Sequence, residues 1–282
     1  MIRIHILGSA AGGGLPQWNC ACANCVAARS GKISPQTQSS IAISSDSESF
    51  QRWFLVNASP DLARQIENMP RLQPRRESLR NSPVAGVLLT NADIDHALGL
   101  FHLRQTDAPL IIYAADETRT ALAWMECALE RFCQIEWRPI SAAFQPLSGT
   151  IAFRAIPLPH GVAFQFRDEM AGTTALFAPN VGELTDLLRE TVQASDVVLF
   201  DGTFWSDGEL GLVRPGARTA RQMNHLPISD GSLEFLRQAS ARRKIYTHIN
   251  NTNPILMPSS WERAQLRQAG IEIARDSLEI VI

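Results

Sequence analysis

A layered α/β domain with mixed sheets is the fold class this sequence predicts, and three observations predict it. Short runs rich in Val, Ile and Phe recur along the chain, each bounded by turn residues. Helical patterns separate many of these runs, while others follow one another closely enough to form hairpins. The 282 residues, with 45% hydrophobic content, can bury a sizeable core, and they read as a single domain spanning 1–282.

The first run, 2–7, alternates Ile2, Ile4 and Ile6 with Arg3 and His5, which is the period of a half-buried strand. Further β-like runs are expected at 40–44, 53–57, 84–89, 110–113, 151–156, 162–167, 173–177, 196–200, 244–248 and 278–282. Helices are expected at 60–69, where Pro60 suits a first turn, and at 117–132, 181–193, 230–241 and 259–269. In the last of these Ser259 can cap, Glu262 lies three residues on, and Gly270 ends the run. The stretch 67–83, with three Pro and four Arg, reads as an exposed loop, and 205–223 as a second.

Composition excludes several function classes. The formal net charge is −2 and no basic face is apparent, so nucleic acid is not an expected partner. No run approaches the roughly 18 apolar residues of a membrane span. The N-terminal apolar run is too short for a secretory signal, so a cytoplasmic location is expected. Five cysteines are too few for a disulfide framework in a chain of this size. Cys127 and Cys133, in a helical pattern, read as packing residues. His5 and His102 read as structural histidines.

The other three cysteines sit together in "GGGLPQWNCACANC" as Cys20-x-Cys22-x2-Cys25. Three thiolates on one tight loop suit three corners of a zinc tetrahedron, with a fourth ligand from elsewhere. A closed site of that kind is structural, because no position is left for substrate. A redox pair is the alternative reading.

A second cluster lies in "VLLTNADIDHALGLFHLR". An apolar run stops at Thr90, and Asp93, Asp95 and His96 follow at once. His160 comes after the run 151–158, Asp201 after 197–200 and His248 after 244–247. Strand ends in a packed sheet hold side chains rigidly, and here four of them carry a possible ligand.

"LTNADIDHALGL" resembles the THxHxDH signature of the metallo-β-lactamase superfamily, aligned through Asp95 and His96. "LPH" at His160 and "YTHINNTNP" at His248 fall where that superfamily places its later ligands. More narrowly, "LGSAAGGGLPQWNCACANC", "TQSSIAIS", "FLVNASPDLARQI", "NHLPISDGS" and "HINNTNPIL" are similar to the family of pyrroloquinoline quinone (PQQ) biosynthesis B proteins, in order from residue 7 to 256. The resemblance implies a four-layer αβ/βα sandwich. It also implies an iron-dependent, O2-using hydroxylase that acts on the tyrosine-derived ring of a small amino-acid or dipeptide precursor.

The chain departs from the hydrolase pattern. Asn91 and Asp93 stand where the hydrolases have His, and "FAPN", with Pro179 or Asn180, stands where they carry a bridging Asp. A two-metal hydrolytic centre, with its ions about 3.5–4 Å apart, is therefore not expected. Asp95, His96 and His248 remain, with Asp93 and His160 nearby, and such a set suits one Fe(II) with open positions, zinc being the competing metal. Asp93, His160 and Asp201 are the catalytic candidates. In related phosphodiesterases of this fold the "NH" of a segment like "MNHLPIS" completes a cysteine zinc site. By that likeness His225 is the fourth zinc ligand; the alternative places it over the active site. A carrier for the quinone or its precursor, or a degenerate hydrolase, are the other function classes.

Overall fold

The structure, a computed structural model, describes residues 1–45, 52–76 and 79–282. The chain opens with β1 (Ile2–Gly8), α1 (Ala23–Arg29), β2 (Ser40–Ser45) and β3 (Trp53–Val56). Then come α2 (Leu62–Asn68), β4 (Val84–Leu88), α3 (Ile94–Ala97), β5 (Leu110–Ala114), α4 (Asp116–Ala121), α5 (Ala123–Leu129) and β6 (Ile135–Pro139). The second half runs β7 (Gln145–Ser148), β8 (Ile151–Pro157), β9 (Val162–Asp168), β10 (Thr174–Ala178), α6 (Asp186–Gln193) and β11 (Val197–Asp201). It closes with α7 (Leu233–Gln238), β12 (Arg243–Thr247), α8 (Trp261–Gln268), β13 (Glu272–Ile273) and β14 (Glu279–Val281).

Two seven-stranded sheets result, ordered β14-β1-β2-β3-β4-β5-β6 and β13-β12-β11-β10-β9-β8-β7. Both are mixed. β3 to β6 run parallel, as do β10 to β13, while β1, β2, β8 and β9 make antiparallel pairs. The layers follow from side-chain alternation. In β11, Val197 and Leu199 face the other sheet and meet Ile4, Phe153 and Phe164, whereas Val198 and Phe200 face outward onto Leu188 of α6 and Leu236 of α7. A strand flanked by parallel neighbours and apolar on both faces must be covered on both. In β4, Leu88 points into the inter-sheet core and Val87 outward, where Leu62 of α2 and Leu129 of α5 cover it. Three apolar layers thus separate four structural ones, giving the expected αβ/βα sandwich. No helix is long and apolar enough to cross a membrane.

Several expected elements shift. The helix 117–132 is broken at Leu122 into α4 and α5. The helix 181–193 starts only after Thr185, whose hydroxyl accepts from the Leu188 N–H at 3.2 Å. Ser260, not Ser259, caps α8, accepting from the Arg263 N–H. β6, β7 and β13 went unread because edge strands need no regular apolar alternation. The expected loop 67–83 holds a short turn of 3₁₀ helix at Pro70–Leu72, and its residues 77 and 78 lie outside the described residues.

Candidate metal centres

The functional side chains gather where parallel strands end. After β3, Asn57 takes a left-handed backbone (φ +64°), and its Oδ1 accepts from both the N–H and the hydroxyl of Thr90 at 3.0 Å. The loop after β4 is thereby tied to its neighbour strand. The turn 158–161 is laid directly on this loop, since a Cβ on Gly161 (φ +86°) would meet the Thr90 carbonyl oxygen at 2.2 Å. Only glycine fits that approach.

His96 is fully buried. Its Nδ1 lies 2.7 Å from Asn91 Oδ1 and 3.0 Å from the Thr90 hydroxyl. An amide oxygen cannot donate, so Nδ1 carries the hydrogen and Nε2 keeps its lone pair. That Nε2 is buried without a hydrogen-bond partner among the described residues, 3.6 Å from Asp95 Oδ2. Burial pushes the imidazole down to about 4, which keeps it neutral near pH 7. His248 ends β12 with φ +56°, unusual for a side-chain-bearing residue. Its Nδ1 is 2.8 Å from the Thr203 hydroxyl, which itself donates to Asp201 Oδ1 at 2.6 Å. Thr203 therefore accepts from His248, and His248 Nε2 faces Asp95 Oδ2 at 3.2 Å. Burial opposes ionisation of Asp95, but His96 and His248 outweigh it and hold the carboxyl well below its usual range.

Donor atoms of Asp95, His96 and His248 all lie within 4.8 Å of one another. An unsatisfied buried nitrogen beside an ionised carboxylate and a second oriented imidazole fits a metal ion. Two imidazoles and one carboxylate suit iron or zinc and leave other coordination positions to small molecules. Hydrogen-bonded backing of both imidazoles is what metal-ligating histidines generally require.

The remaining predicted residues fall around this triad. Asn91, at a hydrolase His position, braces His96 and also donates to Asp93 Oδ2 at 2.8 Å. Asp93 and His160 pair at 3.1 Å, both about half exposed, at the rim. They meet each other but do not enter the close triad. Asn180, at the bridging position, hydrogen-bonds Asn224 instead.

Asp201 and His225 both lie beside His248. Asp201, expected to be catalytic, is fully buried, and its oxygens accept from the Val181 and Thr203 N–H groups, the Thr203 hydroxyl and His225. Donor atoms of Asp201, His225 and His248 also lie within 4.8 Å of one another, a second group able to hold a metal ion. His225, expected at the cysteine site, instead donates from Nδ1 to Asp201 Oδ2 at 2.7 Å and stacks on His248 at 5.4 Å. Asp201 pushes the His225 imidazole up against the opposing effect of burial. The segment carrying His225 thus lies on the triad side of the sheet ends.

At the cysteines, the three Sγ atoms converge within 4.8 Å as free thiols. The group standing over them is Asn251, whose Nδ2 lies 3.2, 3.5 and 3.2 Å from the sulfurs of Cys20, Cys22 and Cys25. Burial pushes the Cys25 thiol up to about 11. For Cys20 burial is outweighed by hydrogen bonds from Cys22, Cys25 and Asn251, and its thiol is lowered. Arg29 fastens the loop through the carbonyls of Cys20 and Gln17, and Asn24 through that of Asn251. Asn57, Thr203 and Asn251 are the functional neighbours that sequence reasoning missed. The Asn-rich "HINNTNP" was the one visible signal.

Known proteins resemble this chain in sequence and fold. Residues 52–249 match the model of the β-lactamase superfamily domain. The chain is 41% identical to coenzyme PQQ synthesis protein B of Rhizobium meliloti (strain 1021), over 99% of this chain and 97% of that one. It superposes on the crystal structure of Zn(2+)-bound PqqB from Methylobacterium extorquens with a TM-score of 0.89 and 35% identity, covering 99% of this chain and 100% of that one. A diphosphatase of the PhnP family, 19% identical with a TM-score of 0.73, covers 100% of this chain and 98% of its own and shares the fold.

Proposed function

This chain belongs to the coenzyme PQQ synthesis protein B family of the β-lactamase superfamily, and from that premise we propose that it is an enzyme of PQQ biosynthesis, an iron-dependent hydroxylase using O2. Its substrate is a small precursor bearing a tyrosine-derived ring. The observation that carries this reading is the donor set itself, two imidazole Nε2 atoms and one carboxylate, with the His96 nitrogen buried and unsatisfied. Asp95, His96 and His248 hold the metal. Iron bound there supplies O2 activation at positions the three protein ligands leave open. Asn91 and Thr203 fix which nitrogen each imidazole presents. Asp93 and His160, paired at the rim, are placed to exchange a proton with the ring hydroxyl of a bound precursor.

At the cysteines, zinc is the fitting metal, held by Cys20, Cys22 and Cys25. Its role would be to pin the loop, with the Asn251 amide donating to the cysteine sulfurs.

Metal analysis of anaerobically purified protein, followed by O2 uptake with a tyrosine-like diacid, tests the reading. One iron per chain and substrate-dependent uptake are expected. Binding without O2 consumption would make the protein a carrier. Phosphodiester or lactam turnover by a zinc-loaded form would make it a degenerate hydrolase.

A further inference from the structure

A cavity of about 890 Å³ opens between the cysteine loop, the loop 205–223 and the turn 250–252, a volume in the range of small-molecule sites. It approaches the triad at Gly12, and Cys20, Cys22 and Asn251 of the cysteine cluster form another part of its wall. Gly12 lines it, and a Cβ there would sit 3.4 Å from Asp95 Oδ2, so the missing side chain leaves the approach to Asp95 clear. Phe204 also lines it, with its ring 5.9 Å from that of His225, edge to face. Phe204, Leu210, Val213 and Met223 supply apolar wall. Among the lining residues Arg214 carries the one formal cation, and no Asp or Glu is present to neutralise it. The Arg214 guanidinium makes no hydrogen bond or ion pair among the described residues.

We infer that Arg214 is the specificity residue of this site, anchoring a carboxylate of an aromatic acid whose ring lies against Phe204 toward the triad. This rests on the hydroxylase reading for the choice of an aromatic substrate, and on the lining chemistry for the carboxylate. A guanidinium forms paired, charge-assisted hydrogen bonds with a carboxylate, which a neutral amide cannot reproduce. The cation sits in the loop 205–223, outside the triad, so it selects and positions the ring without touching the reacting atoms.

Binding is measured by calorimetry on the metal-loaded protein without O2, using p-hydroxyphenylpropionate and its neutral amide as probes. The unmodified protein should prefer the carboxylate by about tenfold to a hundredfold, the usual worth of a hydrogen bond to a charged group. R214A should lose that preference while binding the amide unchanged, and R214K should keep part of it. R218A, which changes an exposed arginine of the same loop outside the cavity, should match the unmodified protein. A preference that survives in R214A, or an unmodified protein that binds neither probe, overturns the assignment. Because no turnover enters the measurement, an Arg214-dependent preference without O2 uptake would sink the hydroxylase reading and leave the anchor standing.

Discussion

The triad and the cysteine cluster hang on the same turn, 248–253, yet they are built in opposite ways. At the triad, Asp95 and His96 come from α3 beyond β4 and His248 follows β12, and each imidazole is held from behind: His96 by Asn91 and Thr90, His248 by Thr203 and Asp201. The front is left to a cavity. At the cysteines, three donors come from one short loop, and Asn251 stands over them. The first arrangement fixes direction and keeps coordination positions free. The second gathers three thiols on one glycine-rich loop that has little core of its own. Where the donors come from therefore separates chemistry from scaffolding better than the identity of the metal does.

The comparison breaks most visibly if one centre is disabled without the other. His248→Ala should lower substrate-dependent O2 uptake by at least about a hundredfold, since even indirect ligand partners are worth about 10–100-fold. Zinc at the cysteines should stay, and His102→Ala, on the following segment, should keep most activity. Equal losses in both variants would mean general damage. Cys22→Ser should do the converse, because zinc binding is linked to folding. Zinc content and Tm should fall while iron per folded molecule barely changes. Retained zinc with lost turnover would make the cysteines catalytic.

Finer changes sharpen the contrast. Thr203→Val removes the acceptor that sets the His248 tautomer, and iron affinity should drop by about 10–100-fold, with Thr203→Ser restoring most of it. Unchanged affinity in the valine variant would show that the backing hydroxyl is dispensable. The smallest effect concerns Glu209, which ties the loop 205–223 to the shared turn by accepting from the Trp205 N–H and the Thr252 hydroxyl. Burial pushes its carboxyl up from 4.5 to about 7. Below pH 4.5 it is protonated both folded and unfolded; as pH rises to about 7 the unfolded chain ionises first, so stability is lost across that window. The loss is on the order of 1–3 kcal/mol. Glu209→Gln, which cannot ionise, should flatten that part of a Tm–pH curve, and an identical slope in both proteins would remove Glu209 as its cause.

Much of this was legible in the sequence, for identifiable reasons. β4 is an apolar run that stops abruptly, with Asp95 and His96 soon after it, and His248 directly follows the β-like run of β12, so all three announced themselves as candidate ligands. β6 and β7 were harder to read, because they are short edge strands carrying Pro: β6 alternates over only four residues and β7 has no apolar run. Asn251 escaped because an amide is an uncommon partner for thiols, and no local pattern marks it. His225 was placed at the wrong centre because likeness to a motif cannot say which loop a segment packs against. Its hydrogen bond to Asp201 spans 24 positions and depends on how two strand ends meet.

Asp95 and His96 follow a strand of one sheet, and His248 follows a strand of the other, 153 positions from Asp95. A cation gripped by all three is thus a clasp across the seam of the sandwich. Its affinity and the docking of the two halves draw on one free energy, since an ion bound only by the docked form favours that form. Loading the centre should quiet the breathing of the seam, and stripping it should let the two halves drift apart first at this edge.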